Sequence, residues 1–150
     1  MEKISGQWKI NDHSAESDLH FAHRELADSY WSKDIPFETV KKAAENSICI
    51  NVFSGDEQIA FARVITDKAT FAYLCDVIVT EKHRGKGVGK ELMRFIMAHP
   101  DLQRLRRFTL ATHDAHSLYE KSGFTSPRFP DRQMEISKPN IYKEDGDQKD

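Results

Sequence analysis

Residues 77–99 read Val-Ile-Val-Thr-Glu-Lys-His-Arg-Gly-Lys-Gly-Val-Gly-Lys-Glu-Leu-Met-Arg-Phe-Ile-Met-Ala-His, and this stretch decides the fold. A β-branched run ends at Val79. Arg84-Gly85-Lys86-Gly87-Val88-Gly89 follows, and a helix-period pattern then runs to Pro100. Glycines at three alternate positions leave main-chain amides uncovered. The helix behind them adds free N–H groups and the positive end of its dipole. A turn of this kind binds a phosphate or pyrophosphate.

Upstream of the loop the pattern is that of an antiparallel meander. Strands are expected at 47–53, 58–65 and 70–79, with Ser54-Gly55-Asp56-Glu57 as a hairpin turn. The apolar content of 70–79 predicts the longest strand, central and covered on both faces. Alternation along it places Leu74, Asp76 and Ile78 on one face and Tyr73, Cys75, Val77 and Val79 on the other. Before the meander, 7–11 reads as a first strand, and 14–29 and 36–46 as helices. After the loop come a helix over 89–99, a strand over 107–111 and a helix capped by Asp114 and ending near Gly123. Met134-Glu135-Ile136 is expected as a last short strand. The fold class is therefore α/β of the α+β kind, a mixed, mostly antiparallel sheet flanked by helices. One domain is expected over 1–138, followed by a polar, disordered tail over 139–150.

Bulk composition narrows the function. The net charge of −2 lacks the basic excess of a nucleic-acid-binding surface. No apolar run approaches the ~20 residues of a membrane span, and residues 1–6 carry no secretory signal. Cys49 and Cys75 both lie in strand-like apolar runs, as buried free thiols of a cytoplasmic protein do.

Two common glycine-loop chemistries do not fit. A Walker A loop needs Ser or Thr after Gly-Lys to hold magnesium, and Gly89-Lys90 is followed by Glu91. A dinucleotide fingerprint spaces its glycines as Gly-x-Gly-x-x-Gly early in a βαβ unit. This loop is Gly-x-Gly-x-Gly and follows a meander.

The pattern Arg84-x-x-Gly87-x-Gly89 instead resembles the Arg/Gln-x-x-Gly-x-Gly/Ala signature of the GNAT acetyltransferase superfamily. Downstream, Ala115-x-x-Leu118-Tyr119-Glu120-Lys121-x-Gly123-Phe124 is similar to a second segment of that family. The two motifs stand in the family's order and span residues 77–124.

The resemblance implies a GNAT fold whose central strand pair splays to admit coenzyme A, and an N-acetyltransferase that moves the acetyl group of acetyl-CoA to an amine. The attack is direct, in a ternary complex. Cofactor contacts would come from Arg84, Gly85, Lys86, Gly87, Val88, Gly89 and Lys90 at the pyrophosphate, and from the main chain of Val77 and Val79 along the pantetheine arm. Thr112 stands where many members have Asn, so its hydroxyl would make part of that contact.

Tyr119 aligns with the family tyrosine that protonates the departing thiolate; its alternative is a packing aromatic. Asp76, an acid in an apolar strand, is the candidate base. It could instead anchor a cationic acceptor or pair with Arg63. Tyr30, Trp31 and Arg63 are candidate acceptor-binding residues, with Trp31 either walling a pocket or plugging the core. Phe37 and Phe129 are secondary candidates. The acceptor class is a small-molecule amine. A protein N-acetyltransferase, or an acyl-CoA-binding module without turnover, is the alternative.

Other signals are discounted. His20-x-x-His23 and His113-x-x-His116 lack further ligands, so no metal is expected. Cys75 has no histidine to activate it. The basic run 104–107 is a solvated turn or a contact for the 3′-phosphate of coenzyme A. No nucleic-acid or membrane partner is expected, and the chain is expected as a monomer or homodimer.

Overall fold

The computed structural model describes residues 1–143, so the last seven residues of the expected tail, 144–150, lie outside the described residues. Six strands form one sheet in sequence order: β1 (Glu2–Ser5), β2 (Trp8–Asn11), β3 (Ile48–Ser54), β4 (Glu57–Thr66), β5 (Phe71–Val79) and β6 (Arg107–Leu110). Every pairing is antiparallel except β5 with β6. Helices α1 (Leu19–Ala27) and α2 (Phe37–Glu45) lie on one face, and α3 (Val88–Ala98) and α4 (His116–Glu120) on the other. Among the described residues no helix is long and apolar enough to cross a membrane.

The mixed, helix-flanked sheet is the expected one, with differences in detail. β1 precedes the expected first strand; its exposed polar residues hide the strand period at an edge. The expected first helix divides into a 3-10 turn at Ser14–Glu16 and α1, because Asp18 starts α1 by accepting the Phe21 N–H at 3.0 Å. Gln58 fixes that cap in turn, its Oε1 accepting the Asp18 N–H at 2.7 Å. β4, at ten residues, is longer than β5, and β5 stands fifth of six. The polar ends Glu57 and Thr66 are what the apolar reading of β4 left off.

Two further expectations fail. Asp114 does not cap α4: the N-cap is Ala115, whose N–H donates to Thr112 Oγ1 at 3.0 Å. Met134-Glu135-Ile136 belongs to no strand of the described sheet, and Met134 and Ile136 are 97% and 94% exposed.

Two apolar cores sandwich the sheet. On the α3 side Leu92, Met93, Phe95 and Ile96 pack on Ile10, Ile50, Val52, Ala62, Val64 and Leu74. Each such side chain contributes about 1.5–3 kcal/mol by leaving water. On the other side Phe21, Leu26, Ile35 and Val40 pack on Cys49, Phe61 and Ile78. Tyr142 also packs against this second cluster, so the chain returns to the α1–α2 face after α4.

Candidate active site

The site is built on an irregularity in β5. Phe61 faces Ile78 and Arg63 faces Cys75 across the β4–β5 ladder, so Asp76 and Val77 together oppose Ala62. This is a β-bulge, and Asp76 takes the left-handed conformation at φ +53°. The expected face assignment is thereby corrected. Leu74, Val77 and Val79 pack with the α3-side cluster, while Ile78 is buried with the α1–α2 cluster. Strict alternation would aim Asp76 with Leu74. The extra residue turns it to the α1–α2 side instead.

There Asp76 meets Arg63, whose Nε donates to Oδ2 at 2.8 Å, and Trp31, whose Nε1 donates to Oδ1 at 3.2 Å. The Arg63 guanidinium also donates to Ser47 Oγ at 3.1 Å. Both charged side chains are mostly buried, 16% and 11% exposed. The ion pair expected as one alternative for Asp76 is therefore present, and it is desolvated enough that removing one partner strands the other. A narrow cavity of about 90 Å³ adjoins the pair, lined by Leu26, Ser32, Ile35, Phe61 and Tyr142 among others.

Trp31 does not plug the core. It is 45% exposed, and its ring packs edge-on against Tyr30 with centroids 5.1 Å apart. Tyr30 reaches on to His113 at 5.8 Å, in the loop after β6. The aromatic loop between α1 and α2 thus bridges to the far side of the β5–β6 cleft. Sequence reasoning missed His113 and Tyr142. A tyrosine in a polar tail was the only hint of the latter.

The β5–β6 cleft itself follows from the ladder. β6 pairs with β5 only from Phe71 to Leu74, and it ends at Leu110. From residue 75 onward β5 keeps its β4 neighbour but has no β6 partner, so one edge of its main chain stays open up to Val79. An extended, amide-bearing arm can pair there as a further strand.

At the end of that edge stands the glycine loop. Gly85 and Gly87 have φ of +76° and +89°, and Gly87 is the N-cap of α3. No atom lies within 4 Å of where a Cβ on either would stand, so the turn opens to solvent as an anion cradle must. Arg84 donates from Nε to the Val79 carbonyl at 3.0 Å, and buried His83 pairs with Thr80 Oγ1 at 2.9 Å; both pin the loop to β5. Lys86 and Lys90 are exposed beside it. The Val88 side chain is in the core, so Val88 offers only its main chain. The residues present fit the diphosphate and the amide arm of coenzyme A.

Tyr119 is 8% exposed and belongs to the α3-side cluster. Burial, with smaller contributions from Asp114 and Tyr30, pushes its phenol above the ordinary tyrosine range, so it is protonated and able to donate at neutral pH. Burial also raises the thiols, Cys49 to about 11 and Cys75 to about 12, which makes both poor nucleophiles.

Other candidates fall outside the site. His20 stacks on Phe37 at 4.5 Å, and His23 Nε2 lies 2.9 Å from the Ile35 carbonyl. Phe129 is held under Arg132, 3.7 Å from its centroid. The basic run begins β6 beside Phe71, whereas the glycine loop follows Val79 at the other end of β5. At ~3.3 Å per residue that is about 26 Å away, too far for a 3′-phosphate whose diphosphate lies on the loop.

The sequence profile of the acetyltransferase (GNAT) family matches residues 12–124. This chain belongs to the GNAT family. A GNAT-family structure from Xanthomonas campestris pv. campestris is 48% identical, superposes with a TM-score of 0.90 and is covered over 99% of its length by 93% of this chain. A GNAT acetyltransferase from Elizabethkingia anophelis, solved with acetyl-CoA bound, shares the fold at 17% identity and a TM-score of 0.64, over 89% of this chain and 90% of its own. A Prochlorococcus marinus protein, named an uncharacterized N-acetyltransferase, is 33% identical over 101 residues, which are 63% of this chain and 56% of its own length. The chain thus spans less than two thirds of the curated relatives it matches. GNAT membership makes acetyl-CoA the expected acyl donor and accounts for the open β5 edge and the glycine cradle.

Proposed function

We propose that this GNAT protein transfers the acetyl group of acetyl-CoA to the nitrogen of a small amine, by direct attack in a ternary complex. The observation that carries the reading is the bulge at Asp76. It sets a carboxylate against an enclosed cavity on the α1–α2 side, while the same strand opens its edge to the β5–β6 cleft. Donor and acceptor are thus served by an adjoining edge and face of one strand, which lets them meet at the bulge. The cavity, about 90 Å³ with both apolar side chains and the Arg63–Asp76 pair in its wall, suits a small molecule better than a protein chain.

In this mechanism the amine enters neutral and donates N–H to Asp76 Oδ1, oriented by the Trp31 indole. Its lone pair attacks the thioester carbonyl. A β5 main-chain N–H near Val79 meets the oxygen as charge develops on it. As the C–N bond forms, the nitrogen proton passes to Asp76, directly or through one water. As the C–S bond breaks, the thiolate takes the phenolic proton of Tyr119. The proton left on Asp76 is then free to return to the phenolate through solvent. Arg63 holds Asp76 in place throughout, and Tyr30 and Trp31 wall the acceptor. The loop from Arg84 to Lys90 holds the diphosphate, with the Thr112 hydroxyl beside the cleft. Free thiols at Cys49 and Cys75 fit a reducing compartment, and the reading is of a cytoplasmic enzyme.

The test is a mass-spectrometric screen of amine libraries with acetyl-CoA. Acetylation of small amines with release of free coenzyme A is expected. Tight acetyl-CoA binding with no product from any amine would favour a binding module, and product only with peptides would assign a protein acceptor.

A further inference from the structure

The Arg63–Asp76 pair leaves part of its hydrogen-bonding capacity unused. Arg63 donates from Nε to Asp76 and from Nη1 to Ser47. Its Nη2 makes no hydrogen bond among the described residues, although the side chain is mostly buried. Ser32 is buried as well. Its N–H and carbonyl are taken, by Ser29 Oγ and by the Ile35 N–H, but its hydroxyl has no partner among the described residues. The Thr39 hydroxyl, on the first turn of α2, has none either. Trp8 Nε1 is the one fully sealed, unpartnered side-chain nitrogen or oxygen among the described residues. Arg63 Nη2 and the two hydroxyls therefore keep contact with open space, and all three residues line the cavity beside Asp76. Unsatisfied polar groups gathered at one buried place call for a ligand or water to satisfy them.

The pattern of charge says what kind of ligand. A carboxylate and a guanidinium stand side by side, 2.8 Å apart, at the wall of one small cavity. Asp76 Oδ1 accepts from Trp31 and has capacity for a second donor. The complement is a molecule whose own positive and negative ends lie side by side, set head to tail against the pair. Size agrees. About 90 Å³ holds roughly three waters, or a ligand of a few heavy atoms. Leu26, Ile35 and Val40 close the rest of the space, so amine and anion are one or two carbons apart. A plain alkylamine would displace the water around Nη2 and the hydroxyls and give them nothing in return, which disfavours it. A carboxylate accepts from all three, and its bond from a guanidinium is of the strong, charge-assisted kind.

We infer that the acceptor is a small amino acid, held with its carboxylate on Arg63 Nη2 and the Ser32 and Thr39 hydroxyls and with its amine on Asp76 Oδ1. The inference rests on the acetyl-transfer reading of this cavity and adds the anionic end of the substrate. The step at nitrogen is unchanged. The ammonium of the free amino acid gives one proton to solvent. The lone pair then forms the C–N bond as the C–S bond breaks, Asp76 takes the second proton, and Tyr119 protonates the thiolate. Arg63 thereby acquires a role beyond holding Asp76: it selects the substrate by its carboxylate.

The test compares acceptors that differ only in the anionic end. Glycine and 3-aminopropionate are assayed with acetyl-CoA beside methylamine, ethylamine and glycinamide, each rate taken per concentration of free amine. The two amino acids should show kcat/KM about ten-fold or more above the other three. Ser32→Ala combined with Thr39→Val leaves the ion pair in place, so a melting curve should find it folded. In that variant the preference for glycine over methylamine should fall about ten-fold, through KM for glycine. Equal use of amines with and without a carboxylate overturns the inference and leaves acetyl transfer standing. So does a double variant, folded, that keeps the full preference, because the carboxylate is then held elsewhere. Turnover of no amine at all overturns the transfer reading itself, and the substrate assignment with it.

Discussion

At Tyr119 the relevant property is a proton that burial retains. The phenol is raised above its ordinary value, first by desolvation and then by Asp114 and Tyr30. Tyr119→Phe keeps the ring in the α3-side cluster and removes only the proton. Turnover under chemistry-limited conditions should fall about ten-fold or more, with acetyl-CoA affinity unchanged, because the proton is used only in the transition state. The sign of the pH effect follows. Wild-type activity should be retained below the raised value and lost as pH rises through it, above the ordinary tyrosine pKa of ~10. The alkaline limb should vanish in the phenylalanine variant. Asp76 calls for a different discrimination, because its oxygens already hold Arg63 and Trp31. Asp76→Asn should lower turnover most near neutral pH, with partial recovery at higher pH as free amine becomes available. A rise in KM with saturated turnover intact would make Asp76 an acceptor anchor only. A lower melting temperature without either kinetic change would reduce it to the partner of Arg63. A pH–rate profile beside a melting curve separates these outcomes.

At the scale of elements, the loop before α3 is the proposed donor site. Gly87→Glu places a carboxylate in the anion cradle. The positive φ costs an L-residue roughly 1–2 kcal/mol, but space for the Cβ is open, so the fold should persist. Calorimetry should find acetyl-CoA binding abolished, with circular dichroism unchanged. At the other end of α3, buried His99 sits 2.7 Å from Asp12 Oδ2 and ties the helix to the end of β2. Burial alone would raise the Asp12 carboxyl. The bonds from the terminal ammonium and from His99 outweigh it and hold the pKa below the usual range. A depressed carboxyl stabilises the fold above its unfolded pKa and loses that contribution as pH falls through the folded one. Asp12→Asn should therefore cost about 1 kcal/mol near neutral pH, and its melting curve should converge with wild type in acid. These elements also show what was legible in the sequence. Glycines at 85, 87 and 89 and the Ala115–Phe124 segment specify backbone shape and packing, which local residue types encode, so the turn, α3 and the short helix that carries Tyr119 stand where they were expected. The side of the sheet on which Asp76 stands depends on one residue of slippage between β4 and β5. Period-2 reasoning has no means of placing a bulge, and that reversed its face. β1 was missed for a related reason, since an exposed edge strand needs no apolar alternation.

Across the whole molecule, the proposed acceptor cavity joins parts of the chain more than a hundred residues apart. Leu26, Ser32 and Ile35 come from α1 and the loop after it, Phe61 and Arg63 from β4, Asp76 from β5, and Tyr142 from the end of the described chain. Tyr142 is the contribution no local pattern indicates. It brings the segment after residue 138 back to the α1–α2 face and sets a half-buried aromatic beside the Arg63–Asp76 pair. Tyr142→Ala removes one wall, at the margin of the α1–α2 cluster, without touching the glycine cradle or the open edge of β5. The expected signature is therefore selective. KM for the acceptor should rise about ten-fold, which corresponds to about 1.4 kcal/mol of lost binding, and acetyl-CoA affinity should not change. Turnover at saturating acceptor should fall little, since Tyr142 contributes equally to the bound amine and the transition state. The widened cavity should also accept bulkier amines that the wild type rejects. Tyr142→Phe should restore wild-type selectivity if the ring alone forms the wall. If instead Tyr142→Ala lowers the melting temperature and leaves both KM values as they were, Tyr142 packs the α1–α2 core and takes no part in choosing the acceptor.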